Sequence, residues 1–459
     1  MNPQVAPISP AERETILETL VIQAELGQDK LVREGIASLH PADIAELLNA
    51  LEEPELKQKI FSSLAPDLAS EVFSFASPLT QEELLLELSS AALGDIVERL
   101  YTDDAVDLLA SLPEEQARAV LDQVPQALSA EMEQLLRYPA DTAGGIMQTE
   151  HVEVREGMRV DQAIEQIRLS ADDAPDLHHV FVVNEAHHLV GVLPLRKLIL
   201  ARPDDPVEKI MERQVLSARV DLDQEQVAQL FKRYDLVSLP VVDPQGVLLG
   251  WIAVDDVVDV LEEEATEDIY KLAGLSTEDT VFDSPRQSMQ RRLPWLGLNL
   301  LTTTLSASVI SLFEGTIQTV AIAAAFMTIV AAQGGNAGIQ TLTVIVRSLA
   351  TGEVSLAHTK RVLLKELMVA LGNGLILGLT AGLIAYFWKG EAILGVVLGL
   401  ALVVNLVVAA FISSIIPFTL RWFGVDPAVA SNVFVTACTD ICGFLSFLGI
   451  LTWFLRFLN

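Results

Sequence analysis

One carboxylate, Asp440, lies in the middle of the last long apolar stretch of the chain. A carboxylate near the centre of a bilayer costs several kcal/mol unless it meets water, a partner or an ion. No basic residue lies deep in any of the long apolar stretches to pair with it. Two interpretations remain, a cation ligand on an ion pathway or a protonated structural residue, and the sequence favours the first.

Polar residues accompany this carboxylate. Asn432, Thr436 and Asp440 are spaced four apart, so on a helix they form one stripe. Asn336 and Gln340 lie in an earlier apolar stretch and supply further polar groups. The pattern predicts a pore lining, and the alternative is hydrogen bonding between packed membrane helices.

A dense acidic stretch precedes the first apolar segment, with eight carboxylates in the 17 residues 255–271. On a helix Asp256 lies beside Asp259, and Glu264 lies near the pair at 267 and 268, so like charges repel. A divalent cation that bridges the oxygens removes this repulsion. The stretch is therefore either a cation sensor next to a pore or a solvated acidic helix.

The charge is divided unevenly between the two parts of the chain. Six of the 62 acidic residues and ten of the 30 basic residues fall in 286–459, which leaves residues 1–285 with a net charge near −36. This charge repels nucleic acid and anionic lipid head groups and attracts cations, so we expect no nucleic-acid partner. The two cysteines, Cys438 and Cys442, are expected to be small packing residues.

Apolar stretches long enough to cross a lipid bilayer follow Arg292. We place five spans at 293–313, 317–346, 362–388, 391–420 and 428–455. Basic residues concentrate before the first span, in the loop after the second and after the fourth, which predicts a cytosolic N-terminus and an external C-terminus. No signal peptide is apparent. Five spans enclose a pore poorly, so a homodimer is expected.

Two further regions precede the membrane part. Residues 1–140 have short Pro-initiated helices with recurring Leu, which predicts a superhelical all-α domain. Residues 141–262 contain a duplication: Ile146-Met147 corresponds to Ile210-Met211, and the Val-rich run before Gly191 corresponds to the run before Gly250. Each half predicts a helix, two strands and a second helix, and this pattern resembles tandem CBS domains.

Tandem CBS domains often hold an adenine nucleotide through a Ser/Thr-x-x-Asp pattern after the second strand. Here the first half has Pro194 and Lys197 at the ends of that pattern, and the second half has Ala253 and Asp256. Neither half has the hydroxyl, and the first also lacks the carboxylate. These residues weaken the case for ATP as a cofactor.

Over nearly its whole length the chain resembles the MgtE family of magnesium channels and transporters. The most specific stretches are 334–340, 425–432, 439–445 and 264–269. The resemblance implies a helical N domain (1–140), CBS domains (141–204 and 205–262), an acidic connecting or plug helix (263–290) and a membrane domain with five helices (291–459). It also implies a homodimer in the bacterial cytoplasmic membrane.

The resemblance also assigns residues. Asp440 corresponds to the pore carboxylate for hydrated magnesium, Asn432 to a pore residue near the cytosolic mouth, and Asp426 to an acid at that mouth. The implied magnesium-sensing acids are Glu71, Asp103, Asp107, Asp223, Glu225, Asp235, Asp256, Asp259, Glu264, Glu267 and Asp268.

The implied mechanism is feedback. Cytosolic Mg²⁺ bridges the acidic clusters and closes the pore, whereas at low Mg²⁺ the clusters repel and release it. Transport is expected to be passive, since the sequence has no Walker-type loop. The alternatives are a channel for Mn²⁺ or Co²⁺, and a membrane-anchored cation or nucleotide sensor that does not conduct. An enzyme is not expected.

Overall fold

A computed structural model describes residues 10–36, 39–170, 179–276, 279–281, 283–430 and 432–458. The chain forms two compact units, Met1–Leu261 and Glu262–Asn459. The predicted fold class is confirmed: helices come first, an α/β module follows, and long apolar helices complete the chain.

Short helices fill the first part of the first unit. Proline occupies the first turn of α3 to α6, where its missing N–H breaks no helical hydrogen bond. The helices are α1 (Pro10–Glu25), α2 (Asp29–Ile36), α3 (Pro41–Asn49), α4 (Pro54–Phe61), α5 (Pro66–Ser74), α6 (Pro78–Glu87), α7 (Ser90–Val97), α8 (Thr102–Ser111), α9 (Glu114–Leu121) and α10 (Gln126–Leu135).

The α/β module confirms the predicted duplication, but each half has three strands and not two, because a short first strand before the helix also joins the sheet. Its first half contains β1 (Glu153–Arg155), α11 (Val160–Leu169), β2 (His179–Val183), β3 (Leu189–Pro194) and α12 (Leu195–Leu200). After α13 (Val207–Ile210), the second half contains β4 (Ala218–Arg219), α14 (Gln224–Tyr234), β5 (Ser238–Val242), β6 (Leu248–Ala253) and α15 (Val254–Ala273).

The two sheets share one topology. In each sheet the first strand runs parallel to the second, and the second runs antiparallel to the third. Both sheets have a register shift at the same place, at Val182/Val183 and at Val241/Val242. Two copies of one αβ unit therefore share even an irregularity of pairing.

One hydrophobic core joins the short helices to the second half of the α/β module. Leu109 and Met132 belong to the same buried cluster as Leu239, Ile252 and Val257. The first half of the module has a separate core around its own strands. This packing places α8 beside the beginning of α15.

The second unit contains the last turns of α15 and the long apolar helices. These are α16 (Pro285–Ser311), the short α17 (Glu314–Thr319), α18 (Ala323–Ala350), α19 (Thr359–Lys389), α20 (Ala392–Trp422) and α21 (Asn432–Leu458), with 3₁₀ turns at Leu356–His358 and Pro427–Ala430. Five of these helices are long and apolar enough to cross a membrane, as predicted.

Two predicted span starts are wrong by several residues. The second span begins at Ala323 and not at 317, because the residues before it form the separate α17. The fifth begins at Asn432 and not at 428, because Pro427 starts a 3₁₀ turn. Apolarity alone does not mark such breaks.

Glycines set the spacing of α19 and α20. A Cβ on Gly378 would lie 2.7 Å from the carbonyl oxygen of Gly399, and one on Gly382 would lie 2.7 Å from that of Gly395. Small residues at these positions let the two helix backbones touch.

Candidate cation sites

Two helix N-termini bring carboxylates together in the first unit. Asp103 and Asp104 lie in the first turn of α8, and Asp256 lies in the first turn of α15. Acidic residues favour this position because the unpaired N–H groups carry partial positive charge. The shared core of the two helices then places the acids near one another.

A short extended segment holds Asp256 in place. The backbone of Gln148 exchanges two hydrogen bonds with Trp251, at 2.8 and 2.9 Å. The Gln148 side chain donates from Nε2 to Asp256 Oδ2 at 3.0 Å, and the backbone N–H of Ala253 donates to the same oxygen at 3.2 Å. The Asp256 carboxylate is therefore fixed by two donors.

Glu150 joins this cluster, although the sequence did not indicate it. Thr102 Oγ1 accepts from the Thr149 backbone N–H at 2.8 Å and donates to Glu150 Oε2 at 2.9 Å. The Trp251 indole donates to the Glu150 carbonyl oxygen at 2.8 Å. We call Asp103, Asp104, Glu150 and Asp256 the acidic cluster. Glu150 could be recognised as a member of this cluster only after the segment before β1 had been placed against α8.

The cluster concentrates negative charge away from water. Burial, and then the negative charge of Asp256, raises the pKa of Asp104 to about 7. Burial also raises the pKa of Asp103 and of Asp256, which repel each other, and the pKa of Glu150. The side chains whose charges raise these pKa values are themselves carboxylates. Such a site favours bound protons or a bound cation.

One oxygen of the cluster, Asp103 Oδ1, is buried without a hydrogen-bond partner. A buried unpartnered acceptor is unfavourable, and a cation would satisfy it. In the described part of the chain, no three His, Cys, Asp or Glu side chains are already arranged around a metal position. Mg²⁺ usually keeps several waters and needs only one or two carboxylates, so the donors present fit a hydrated Mg²⁺.

The other acids predicted in the first unit differ in position. Asp107 on α8 and Asp259 on α15 are exposed, and both add negative charge at Asp104. Glu71 is exposed on α5, and none of the described contacts of the acidic cluster reaches it.

Three of the predicted acids lie at the ends of α14. Asp223 caps its N-terminus, where Oδ1 accepts from the Glu225 backbone N–H at 3.0 Å. Glu225 accepts from Gln229 at 3.3 Å. Asp235 ends the helix in the left-handed region, with φ of 51°. An 11-residue helix is about 16 Å long, so Asp235 does not share one ion with the other two.

A second charged group lies in the second unit, near the end of α15. Lys271 Nζ binds Asp426 Oδ2 at 2.7 Å and also pairs with Glu267. Burial, and then the negative charge of Asp426, raises the pKa of Asp268, whereas the positive charge of Arg347 lowers it. The structure thus brings together the predicted Glu267, Asp268 and Asp426. Lys271 was not predicted. Glu264, one turn earlier, is half-buried.

The polar stripe on α21 forms as predicted. Thr436 Oγ1 donates to Asn432 Oδ1 at 2.8 Å, and Asp440 follows one turn later, half-buried. Among the described residues, no side chain forms a hydrogen bond or ion pair with Asp440. Asn336 and Gln340 lie on the exposed face of α18.

Glycines bring α18 against α21. A Cβ on Gly338 would lie 2.7 Å from Val435 Cγ1 and 3.6 Å from Thr439 Cγ2. A Cβ on Gly335 would lie 4.0 Å from Thr436 Cγ2. The helix that carries Asp440 therefore packs closely against the helix that carries Asn336.

Sequence reasoning missed Asn405 on α20. It is fully buried, and its Nδ2 donates to the Val330 carbonyl oxygen of α18 at 2.9 Å. A Cβ on Gly334 would lie 2.1 Å from this nitrogen, and one on Gly443 would lie 2.9 Å from it. Asn405 therefore ties α18, α20 and α21 together. The one available signal was an amide alone in an apolar span.

The fold is that of a multi-pass membrane protein that carries a duplicated α/β module. The sequence matches the MgtE family, described as a divalent cation transporter, over residues 327–450. It matches the MgtE intracellular N domain over 39–141 and the CBS domain over 143–204 and 207–263. The chain belongs to the MgtE family of magnesium transporters.

The relatives agree with this assignment. The chain is 38% identical to magnesium transporter MgtE of Thermus thermophilus, covering 92% of this chain and 95% of the relative. It is 32% identical to magnesium transporter MgtE of Bacillus subtilis, covering 96% and 98%. These relatives are named as transporters and not as enzymes.

Two solved structures resemble the first part of the chain. One is the soluble part of a magnesium transporter, with 32% identity and a TM-score of 0.51, covering 55% of this chain and all of that one. The other is the cytosolic domain of the Mg²⁺ channel MgtE in complex with ATP. Its identity is 39% and its TM-score 0.50, and it covers 53% of this chain and 99% of that one.

Proposed function

We propose that this protein conducts Mg²⁺ passively across the cytoplasmic membrane and closes when cytosolic Mg²⁺ binds the acidic cluster. The gating proposal rests on one observation, a cluster of four carboxylates in which one buried oxygen of Asp103 has no hydrogen-bond partner. Family membership supports Mg²⁺ as the cargo.

The sensing step is electrostatic. Without a divalent cation, ionised Asp103, Asp104 and Asp256 repel, and this favours separation of α8 from α15. Asp103 and Asp256 would hold a hydrated Mg²⁺, whose charge would offset this repulsion, while Gln148 keeps Asp256 oriented. The ion binds the closed arrangement better than the open one, so it shifts the population toward closure.

Helix α15 is the element that connects sensing to conduction. It is one continuous helix, with Asp256 in its first turn and with Glu267 and Asp268 near its end. We infer that cation binding, by ordering the first turn of α15, also restricts the motion of the last turns of α15. These last turns lie next to Asp426 and the start of α21.

The ion pathway is assigned to the polar stripe of α21. Two copies of the chain, related by a two-fold axis, would place two Asp440 carboxylates opposite each other, with Asn432 and Thr436 toward the cytosol. Asn336 and Gln340 would face the same path. Mg²⁺ dehydrates reluctantly, so these groups would bind it through its waters. The N-terminus is then cytosolic and the C-terminus external.

The experiment is uptake of Mg²⁺ into liposomes with Mg²⁺ varied on the cytosolic face. We expect Asp440→Asn to abolish uptake. Asp103→Asn and Asp256→Asn should keep uptake but raise the half-inhibiting Mg²⁺ concentration about tenfold, as expected for a coupling of one to two kcal/mol.

An exposed acid, Asp95 on α7, supplies the matched control, and Asp95→Asn should behave like the wild type. Uptake that does not need Asp440 would refute the pathway assignment. Inhibition that is unchanged in both cluster variants would refute the sensor assignment. Faster uptake of Mn²⁺ or Co²⁺ than of Mg²⁺ would replace the proposed cargo, and no uptake of any divalent cation would favour a non-conducting sensor.

A nucleotide is a second candidate ligand. The ATP complex of the related cytosolic domain favours ATP for the CBS module here. The carboxylate at the nucleotide-motif position, Asp256, instead accepts hydrogen bonds from Gln148 and Ala253. Calorimetric titration of the protein with ATP, with and without Mg²⁺, tests this ligand directly, and the absence of a binding signal in both conditions would exclude it.

A further inference from the structure

The two groups of acids differ in one respect that the sequence did not reveal. In the acidic cluster, the charged neighbours that raise the aspartate pKa values are all carboxylates. In the second unit, Glu267, Asp268 and Asp426 lie with two cations, Lys271 and Arg347. The charge of the second group is therefore largely balanced without a metal.

Lys271 connects α15 to the loop before α21. Its Nζ donates to Asp426 Oδ2 at 2.7 Å and also pairs with Glu267, one turn earlier on its own helix. Asp426 Oδ1 accepts from the backbone N–H of Ala428 at 2.8 Å. One carboxylate thus joins the lysine to the 3₁₀ turn that leads into α21.

Apolar packing supports the same contact. The next residue, Leu272, packs against the cluster of Leu342, Val346, Ala428 and Val435, which belongs to α18, the 3₁₀ turn and α21. The Lys271 and Asp426 side chains are only 30% and 38% exposed. An ion pair at that depth is screened less than one on an open surface.

We propose that Lys271 is a tethered cation that holds the end of α15 to Asp426 without Mg²⁺, and so lowers the Mg²⁺ concentration needed for closure. The inference rests on the proposed function. Closure then depends on metal mainly at the acidic cluster, whereas the contact next to α21 is already made by the protein itself.

The chemistry of the lysine fits this role. The ordinary pKa of a lysine is about 10.4, and this lysine pairs with two carboxylates, those of Asp426 and Glu267. The ammonium therefore stays charged at physiological pH. It also occupies Asp426 Oδ2, which a metal at this position would have to share or take.

The test uses the full chain in liposomes and compares Mg²⁺ inhibition curves of Lys271→Met and Lys271→Arg. Methionine keeps the apolar stem and removes the charge, whereas arginine keeps the charge. We expect the half-inhibiting Mg²⁺ concentration to rise about threefold to tenfold in the methionine variant, the range for loss of a partly buried ion pair. The arginine variant should stay within about twofold of the wild type.

Lys389, exposed at the end of α19, gives a matched control, and Lys389→Met should not shift the curve. Uptake at zero cytosolic Mg²⁺ shows that each variant is folded. In a double-mutant cycle with Asp426→Asn, the two changes together should shift the curve no more than Asp426→Asn alone.

Three results would overturn the inference: an unchanged curve for Lys271→Met, a shift toward lower Mg²⁺, or full additivity with Asp426→Asn. The failure of the proposed function looks different. A wild type whose uptake is not inhibited by cytosolic Mg²⁺ refutes the gating itself, and the role of Lys271 with it.

Discussion

Replacing Asp104 by asparagine should stabilise the first unit in the absence of divalent cations. The side chain keeps its shape but loses its charge at a position where the nearest charges are negative. The pKa of Asp104 is raised from its usual 3.8 to about 7, first by burial and then by Asp256. At pH 8 the folded protein must therefore hold an ionised carboxylate in an unfavourable place.

The magnitude follows from the pKa. Each pKa unit is worth about 1.36 kcal/mol, so the difference between 3.8 and about 7 corresponds to about 4 kcal/mol. Asp104 is half-buried, and solvent screening reduces this to about 2 kcal/mol. We expect Asp104→Asn to raise the free energy of unfolding by about that amount at pH 8.

A fragment of residues 1–273 offers a direct assay, because Trp251 is its only tryptophan and donates to the backbone of Glu150. Urea unfolding followed by Trp251 fluorescence at pH 8 gives the free energy of unfolding for the wild type and for Asp104→Asn. Saturating Mg²⁺ should remove most of the difference, since the bound ion already relieves the repulsion in the wild type.

The exposed Asp95 is the control, and Asp95→Asn should change the free energy of unfolding by less than about 0.5 kcal/mol. An Asp104→Asn variant that is no more stable than the wild type would refute the electrostatic reasoning. So would a gain that is the same with and without Mg²⁺.

Three further predictions concern pH and packing. The free energy of unfolding of the same fragment without metal should fall as pH rises, because the pKa of Asp104 is higher in the folded protein than in the unfolded chain. The stabilisation from protonated Asp104 is complete below about pH 4 and is lost as the pH rises through about 7. A free energy of unfolding that rises with pH would contradict this. Gly378→Ala should destabilise the detergent-solubilised chain by about 1–3 kcal/mol in thermal unfolding, because the added Cβ meets a backbone carbonyl, whereas Gly372→Ala, with open space around it, should have little effect. Gly334→Ala should also destabilise the chain, because the added Cβ would overlap the side-chain amide of Asn405. In the double variant, Asn405→Ala should remove that overlap and so reduce the destabilisation caused by Gly334→Ala. Full additivity of the two changes in thermal unfolding would argue against the overlap.

The sequence by itself determined the elements and most of the candidate residues. Apolar length fixed five membrane helices, because an α-helix must be about 20 residues long to cross the hydrocarbon core. The repeated Ile-Met and Val-rich segments determined the duplicated α/β module with two strands in each half, but not the short first strand that completes each three-stranded sheet. The spacing of Asn432, Thr436 and Asp440 determined the polar stripe, because residues four apart share one helical face.

Tertiary structure decided which of these residues meet. Asp103 and Asp256 are 153 positions apart, and they form one cluster only because α8 and α15 share a core. Lys271 reaches Asp426 across a similar separation, so neither its role as a counter-ion nor the balanced charge of that group could be read from a local pattern. Local spacing fixes which face of a helix a side chain occupies, whereas its partners depend on how distant helices pack.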